Sequence, residues 1–141
     1  ELHDFLSVMR MKYFVPAGRI WRSAGNGLTG NNCFVLPCPH DSMKGIIKTL
    51  DDMTELMRHG GGVGINISSL RPDGNNVAGV DGTSSCAVAL SELYSYGTGL
   101  IKQGGSRRGA LMLSMHVWHP DILEFITVKR DHHAELRRQV L

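Results

Sequence analysis

Lys102-Gln103-Gly104-Gly105-Ser106-Arg107-Arg108-Gly109 sets cations and one amide among flexible glycines. A loop that grips phosphates while Gln103 meets the hydrogen-bonding edge of a base needs that combination, although a solvated loop tip would also carry adjacent arginines. Gly60-Gly61-Gly62-Val63-Gly64 is the second glycine cluster, between a helix end and a strand. Its backbone could lie close to a phosphate, or its glycines could serve only as a helix stop and a tight packing site. It fits neither the Walker loop nor the dinucleotide fingerprint, because no Lys-Ser/Thr pair and no helix follow the glycines. Arg71, after a strand and before Pro72, offers a forked cation to phosphate or makes a surface ion pair. Asp41 could cap a helix or accept from a sugar hydroxyl, and on local evidence the cap is the stronger reading.

Three cysteines at irregular spacing form no disulfide framework. Cys33, Cys38 and His40 lack a second ligand pair at a zinc-finger distance, so metal is the weaker reading. Cys33 begins an apolar segment beside an Asn- and Gly-rich loop, where a ligand could reach a thiol for redox chemistry. Cys86 lies on a helix and reads as inert core. His116 and His119 fall on opposite faces of a strand, His119 also suits a cap before Pro120, and the other histidines read as surface.

The elements that must hold these groups alternate. Leu2, Phe5, Leu6 and Met9 predict a helix near 1–12, and residues 24–32 are a turn-rich loop. Cys33 to Leu36 predicts a buried strand. Asp41 or Ser42 then caps a helix with Met43, Ile46, Ile47, Leu50, Met53 and Met57 on one face, ended by Gly60 in the left-handed conformation. A strand over 63–67 leads into a turn at Pro72 and Gly74. The next helix spans 86–101 with Val88, Leu90, Leu93, Tyr94 and Leu100 in the core, weakened by Gly97 and Gly99 at about 1 kcal/mol each. After the glycine-arginine loop come a strand over 110–117 and a helix opened by Pro120, carrying Ile122, Phe125 and Ile126. This order predicts an α/β fold with parallel strands and ligands gathered at strand ends.

The chain has 141 residues, 42% hydrophobic and 20% charged, and is read as one continuous unit with a single core. Its net charge of +2 is too small for duplex binding by phosphate neutralisation, and no apolar run approaches a membrane span, so neither nucleic acid nor membrane is expected as a partner. The cysteine usage predicts a reducing, cytoplasmic setting. Seventeen glycines and a first residue that is Glu suggest backbone close to ligands, in a piece of something longer.

In order along the chain, Phe14-Val15-Pro16-Ala17-Gly18-Arg19, Asn32-Cys33-Phe34-Val35, Asp41-Ser42-Met43, Gly60 to Ile65, Leu70-Arg71-Pro72, Gln103 to Ala110 and Trp118-His119-Pro120-Asp121-Ile122 with Glu124-Phe125-Ile126 resemble the large catalytic chain of ribonucleotide reductase. Each motif is modest alone, and their shared order is specific. The resemblance covers about 13–129, while 130–141 depart from the family patterns. The Pro-Ala-Gly-Arg opening and the Gln-Gly-Gly-x-Arg-Arg-Gly-Ala loop are most like the adenosylcobalamin-dependent class; the class that draws its radical from a metal-containing small subunit shares several motifs.

The resemblance implies the first part of a ten-stranded α/β barrel that reduces ribonucleotides to deoxyribonucleotides. Cys33 would be the first of two redox cysteines, and Ala17, Asn32, Gly62 and Val63 would lie at the substrate. Asp41, Ser42 and Arg71 would contact a deoxynucleoside triphosphate effector at a homodimer interface, with Lys102, Gln103 and Arg107 in the loop that relays effector identity. A thioredoxin- or glutaredoxin-type reductant is implied. The thiyl-radical cysteine, the second redox cysteine and the C-terminal cysteine pair belong to motifs that Cys38 and Cys86 do not occupy. The segment alone should therefore be inactive, and a non-catalytic deoxynucleotide-binding module is the alternative.

Overall fold

A computed structural model describes residues 1–27, 29–75, 86–103 and 107–129, without the side chains of 102, 103, 107 and 108. Where the sequence shows no linker, contacts divide the chain into two compact units, Glu1–Asn32 and Cys33–Leu141. The division falls at the end of the Asn- and Gly-rich stretch, where few side chains can bury apolar surface.

In the first unit, α1 (Leu2–Arg10) forms where its apolar spacing predicts, yet it buries none of its residues. A second helix, α2 (Gly18–Ser23), is not signalled by periodicity because six residues are under two turns. Ala17 is its N-cap residue, with its carbonyl accepting from Ile20 N–H at 2.9 Å. Arg19 is buried and donates from Nε to Thr29 O at 3.1 Å.

The second unit is built on three parallel strands, β1 (Cys33–Leu36), β2 (Gly62–Asn66) and β5 (Leu111–Ser114), in the order β1-β2-β5. α3 (Met43–Arg58) joins β1 to β2, and α4 (Ala87–Leu100) precedes a short antiparallel pair, β3 (Lys102–Gln103) with β4 (Arg107–Arg108). The glycine-arginine segment read as a loop is thus a hairpin at its ends; residues 104–106 lie outside the described residues. Both longer strands are shifted or shorter than periodicity predicts, and helical backbone runs over 122–129, two residues past Pro120. Residues 76–85 and 130–141 also lie outside the description.

Successive strand residues point to opposite faces. Leu36, Val63, Ile65, Leu111 and Leu113 meet Ile46, Met53, Met57 and Tyr94 in one core, with α3 and α4 covering that face. On α3 the apolar stripe is narrower than expected: Met43 is 67% exposed and Ile47 48%, because the buried row runs through Ile46, Thr49, Met53 and Met57. Leu100 is likewise exposed, and Ala87 and Ser91 take core positions on α4 instead. Gly97 has a packing role: a Cβ there would stand 3.0 Å from Leu50 Cδ1, so its absence lets α4 approach α3. On the uncovered face Cys33, Val35 and Met112 are exposed.

The end of α3 shows why glycines cluster at 60–64. Gly60 has φ +88°, its N–H reaches Met57 O at 2.8 Å, and Gly61 N–H reaches Leu56 O at 3.0 Å. This is the Schellman closure, in which a left-handed glycine satisfies the last helical carbonyls. A Cβ on Gly61 would fall 2.6 Å from the Phe34 ring. Helix stop and tight packing therefore account for Gly60 and Gly61, while Gly62 enters the sheet.

Candidate functional site

Cys33 opens β1 as an exposed thiol, and the parallel register sets it opposite Gly62. The absent Cβ of Gly62 leaves that neighbour without a side chain, so a reactant approaching the thiol meets backbone on one flank. Val63 is less available: its side chain is buried and its N–H donates to Ala110 O at 2.9 Å within the sheet. Cys38 is exposed and Cys86 is buried. Ala17 and Asn32 belong to the first unit.

A second group forms where the strands end. Arg71, in the turn after β2, donates from Nε to Asp41 Oδ2 at 2.8 Å and from Nη2 to the Asp41 carbonyl at 3.2 Å. Both side chains stay partly exposed, at 26% and 33%. A fixed guanidinium and a fixed carboxylate at a strand-end loop offer a cation to phosphate and an acceptor to a hydroxyl. The cap of α3 is Ser42, whose Oγ accepts from Gly45 N–H at 3.1 Å, so the local reading of Asp41 as the cap is corrected. The carboxylate turns to Arg71, thirty residues on, a partner that short-range patterns do not reveal.

Gly45 is a contributor that spacing does not signal. A Cβ on it would stand 2.5 Å from His40 O, so glycine is what permits the 40–42 turn to fold over the start of α3. Ser69 reinforces the same region by donating to the carbonyl of buried Pro39 at 2.6 Å. The backbones of Lys102, Gln103 and Arg107 lie in the hairpin, paired Lys102 with Arg108 and Gln103 with Arg107; their side chains are outside the described residues.

Two buried polar residues near the third strand also escaped the pattern. His119 is 7% exposed and does cap the turn after Pro120 as expected, while Asp121 is 8% exposed. Asp121 N–H donates to His119 Nδ1 at 3.2 Å, so Nε2 must carry the proton and donate to Leu70 O at 3.0 Å. Cys86 caps α4, with Sγ accepting from Ala89 N–H at 3.1 Å and lying 3.5 Å from Glu124 Oε1. Burial pushes this thiol above its ordinary range and the Glu124 charge adds to the rise, against the Ala89 amide. Among the described residues no group of three or more His, Cys, Asp or Glu could hold a metal ion, and no helix is long and apolar enough to cross a membrane.

The profile of the ribonucleotide reductase barrel domain matches residues 31–140. It continues past Lys129, correcting the expectation that 130–141 leave the family pattern. A vitamin B12-dependent ribonucleoside-diphosphate reductase of Mycobacterium tuberculosis (strain ATCC 25618 / H37Rv) is 41% identical over 134 residues, covering 94% of this chain and 19% of that protein. One from Thermoplasma acidophilum is 39% identical over 129 residues, 91% of this chain and 17% of its own. The Saccharomyces cerevisiae ribonucleoside-diphosphate reductase large chain 2 is 30% identical over 131 residues, 92% of this chain and 15% of that one. The chain thus spans under a fifth of the length of these relatives. In structure it is similar to the alpha subunit of the Actinobacillus ureae class Id ribonucleotide reductase, with a TM-score of 0.72 and 23% identity over 89% of this chain and 22% of that one, which shows the shared fold. Parallel strands joined through α3, an accessible cysteine heading the first of them, and a profile match over most of the length agree: the chain belongs to the ribonucleotide reductase barrel-domain family.

Proposed function

We propose that this chain supplies the first redox cysteine, part of the substrate cradle and the effector-specificity site of an enzyme that reduces ribonucleotides to deoxyribonucleotides. The observation that carries this reading is the exposed Cys33 thiol at the head of β1, in register with Gly62. A thiol that must meet a substrate has to be reachable, and an inert core cysteine would be buried as Cys86 is.

In the reaction, a radical takes the 3′ hydrogen and later returns it. The 2′ carbon–oxygen bond breaks and the hydroxyl leaves as water. Cys33 and a second cysteine outside this chain give up two electrons and two protons and become a disulfide, which a thioredoxin- or glutaredoxin-type dithiol reduces again. Asn32 and the backbone at Gly62 belong to the substrate cradle and Ala17 lies near the substrate phosphates, while Val63, buried and with its N–H held by Ala110 O, supports the cradle from within the sheet. The 41% identical relative supports adenosylcobalamin, which supplies the initiating radical when bound, over a metal-containing small subunit as the radical source. An apolar groove of about 360 Å³ in the first unit, lined by Leu6, Met9, Phe14, Val15 and Trp21 with Arg10, is too small to enclose a corrinoid.

Asp41, Ser42 and Arg71 bind a deoxynucleoside triphosphate, and the hairpin with Lys102, Gln103 and Arg107 carries its identity toward the substrate. The complete enzyme acts as a homodimer in the cytoplasm, where thiols stay reduced. Replacing Cys33 by Ser in the full-length protein tests the central claim. Loss of dithiol-driven reduction with nucleotide binding retained is the expected result, and undiminished turnover overturns it. The Asp41–Arg71 geometry also favours a second reading, a deoxynucleotide-binding module without catalysis. Calorimetry of the 141-residue chain with deoxynucleoside triphosphates tests the binding both readings require: micromolar binding supports the module, millimolar or absent binding removes it, and the Cys33→Ser result decides between module and enzyme.

A further inference from the structure

Asp121 holds two distant backbone amides with one buried carboxylate. Oδ1 accepts from Asp73 N–H at 3.3 Å and Oδ2 from Ala87 N–H at 3.1 Å. Asp73 closes the turn that carries Arg71, and Ala87 is the first residue of α4. On the other side of Arg71, the Leu70 carbonyl is held by His119 Nε2–H, whose ring is locked by the Asp121 N–H. Arg71 therefore sits in a turn pinned before and after it by the 119–121 segment, with Pro72 restricting the backbone between. Capping α4 alone would use one oxygen. The second oxygen joins that helix to the Arg71 turn, and the far end of α4 runs into the hairpin of Lys102, Gln103 and Arg107.

We propose that Asp121, with His119 behind it, is a positioning residue of the triphosphate site: it aims Arg71 at Asp41 and ties that turn to the head of α4. This rests on the reading of Asp41 and Arg71 as nucleotide contacts. Asparagine keeps the shape of Asp121 but offers a single acceptor oxygen, and its amide N–H₂ would confront one of the two backbone N–H groups. One clamp is then lost while the core stays filled.

The test uses the 141-residue chain, with NMR hydrogen exchange at the Arg71 Nε–H and calorimetry with dATP, dTTP and dGTP. In Asp121→Asn the Arg71 Nε–H exchanges about fivefold faster and triphosphate binding weakens about fivefold. In an Arg71→Ala background the same change adds no further loss of affinity, as a double-mutant cycle requires if Asp121 acts through Arg71. Unchanged Nε–H exchange overturns the proposal, as does an equal affinity loss with and without Arg71. If the parent chain binds no triphosphate, the nucleotide reading falls, and the exchange rate alone still decides whether Asp121 positions Arg71. Asp121→Ala serves as the larger truncation, and the Asn variant gives the result if the Ala variant fails to fold.

Discussion

Arg71 reaches back to Asp41 from the end of the second parallel strand to the end of the first, donating both to its carboxylate and to its carbonyl. A fork with two acceptors on one residue fixes direction as well as charge. Replacing Arg71 by Lys should not restore this geometry, because an ammonium is a point donor. Asp41→Asn and Arg71→Lys are each expected to lower stability by about 1 kcal/mol in urea denaturation, since the pair is partly exposed. Full stability in both variants would mean that the pair holds nothing in place.

Glycine substitutions should divide by what surrounds the missing Cβ. At Gly45 the new atom meets the His40 backbone, which cannot swing aside, and Gly45→Ala is expected to cost about 2 kcal/mol. Gly99 in α4 has nothing within 4 Å, so Gly99→Ala is expected to stabilise by about 0.5–1 kcal/mol. Chemical denaturation of both variants checks the contrast. A stable Gly45→Ala chain would show that the 40–42 turn does not press on α3.

The three thiols should differ in reactivity. Cys33 and Cys38 are exposed and are expected to alkylate within minutes with iodoacetamide near pH 8, with Cys86 lagging until the fold opens. The raised Cys86 value also sets a sign for stability. The unfolded chain loses this proton in the ordinary thiol range near ~8.5, earlier than the folded one, so the unfolded state binds fewer protons there and stability falls as pH rises through that window. Cys86→Ser should flatten the decline, as read by denaturation midpoints between pH 7 and roughly 10.

One face of the sheet has no covering layer among the described residues, and Val35 and Met112 are 83% and 62% exposed there. The 141-residue chain is expected to self-associate in sedimentation with rising concentration, and Val35→Lys with Met112→Lys should restore a smaller species. A sharp monomer boundary for the unaltered chain would contradict this.

The elements with a strong period were legible in the residues. Cys33–Leu36 is the strand its bounding Asn and Pro residues announce but not the buried one expected, since only Phe34 and Leu36 turn to the core side and none of the four is buried, and α3 ends at Gly60 as a left-handed stop requires. Where several residues share the apolar stripe, the period alone could not tell Ile47, which is exposed, from Thr49, which is buried. α2 is too short for a pattern, and glycines at 104 and 105 hid the pairing of the strands flanking them. The site was legible as a list of residue types and illegible as partnerships. Asp41 suits a cap by its neighbours, and only the fold brings Arg71 to it. His119 caps locally next to Pro120 as its position announces, yet its Nε2 reaches Leu70, and the Asp121 carboxylate reaches Asp73 and Ala87, beyond any local window.

The parallel direction of β1 and β2 separates the exposed thiol from the Asp41–Arg71 pair along the strands. Cys33 stands at the entry of β1, whereas Asp41 and Arg71 follow the exits of β1 and β2. At roughly 3.3 Å per residue, the three steps from Cys33 to Leu36 put about 10 Å of strand between the residue that carries the thiol and the loop that leads to Asp41. On the proposed reading, the redox thiol and the triphosphate contacts lie toward opposite ends of β1, with the strand itself as the connection between them.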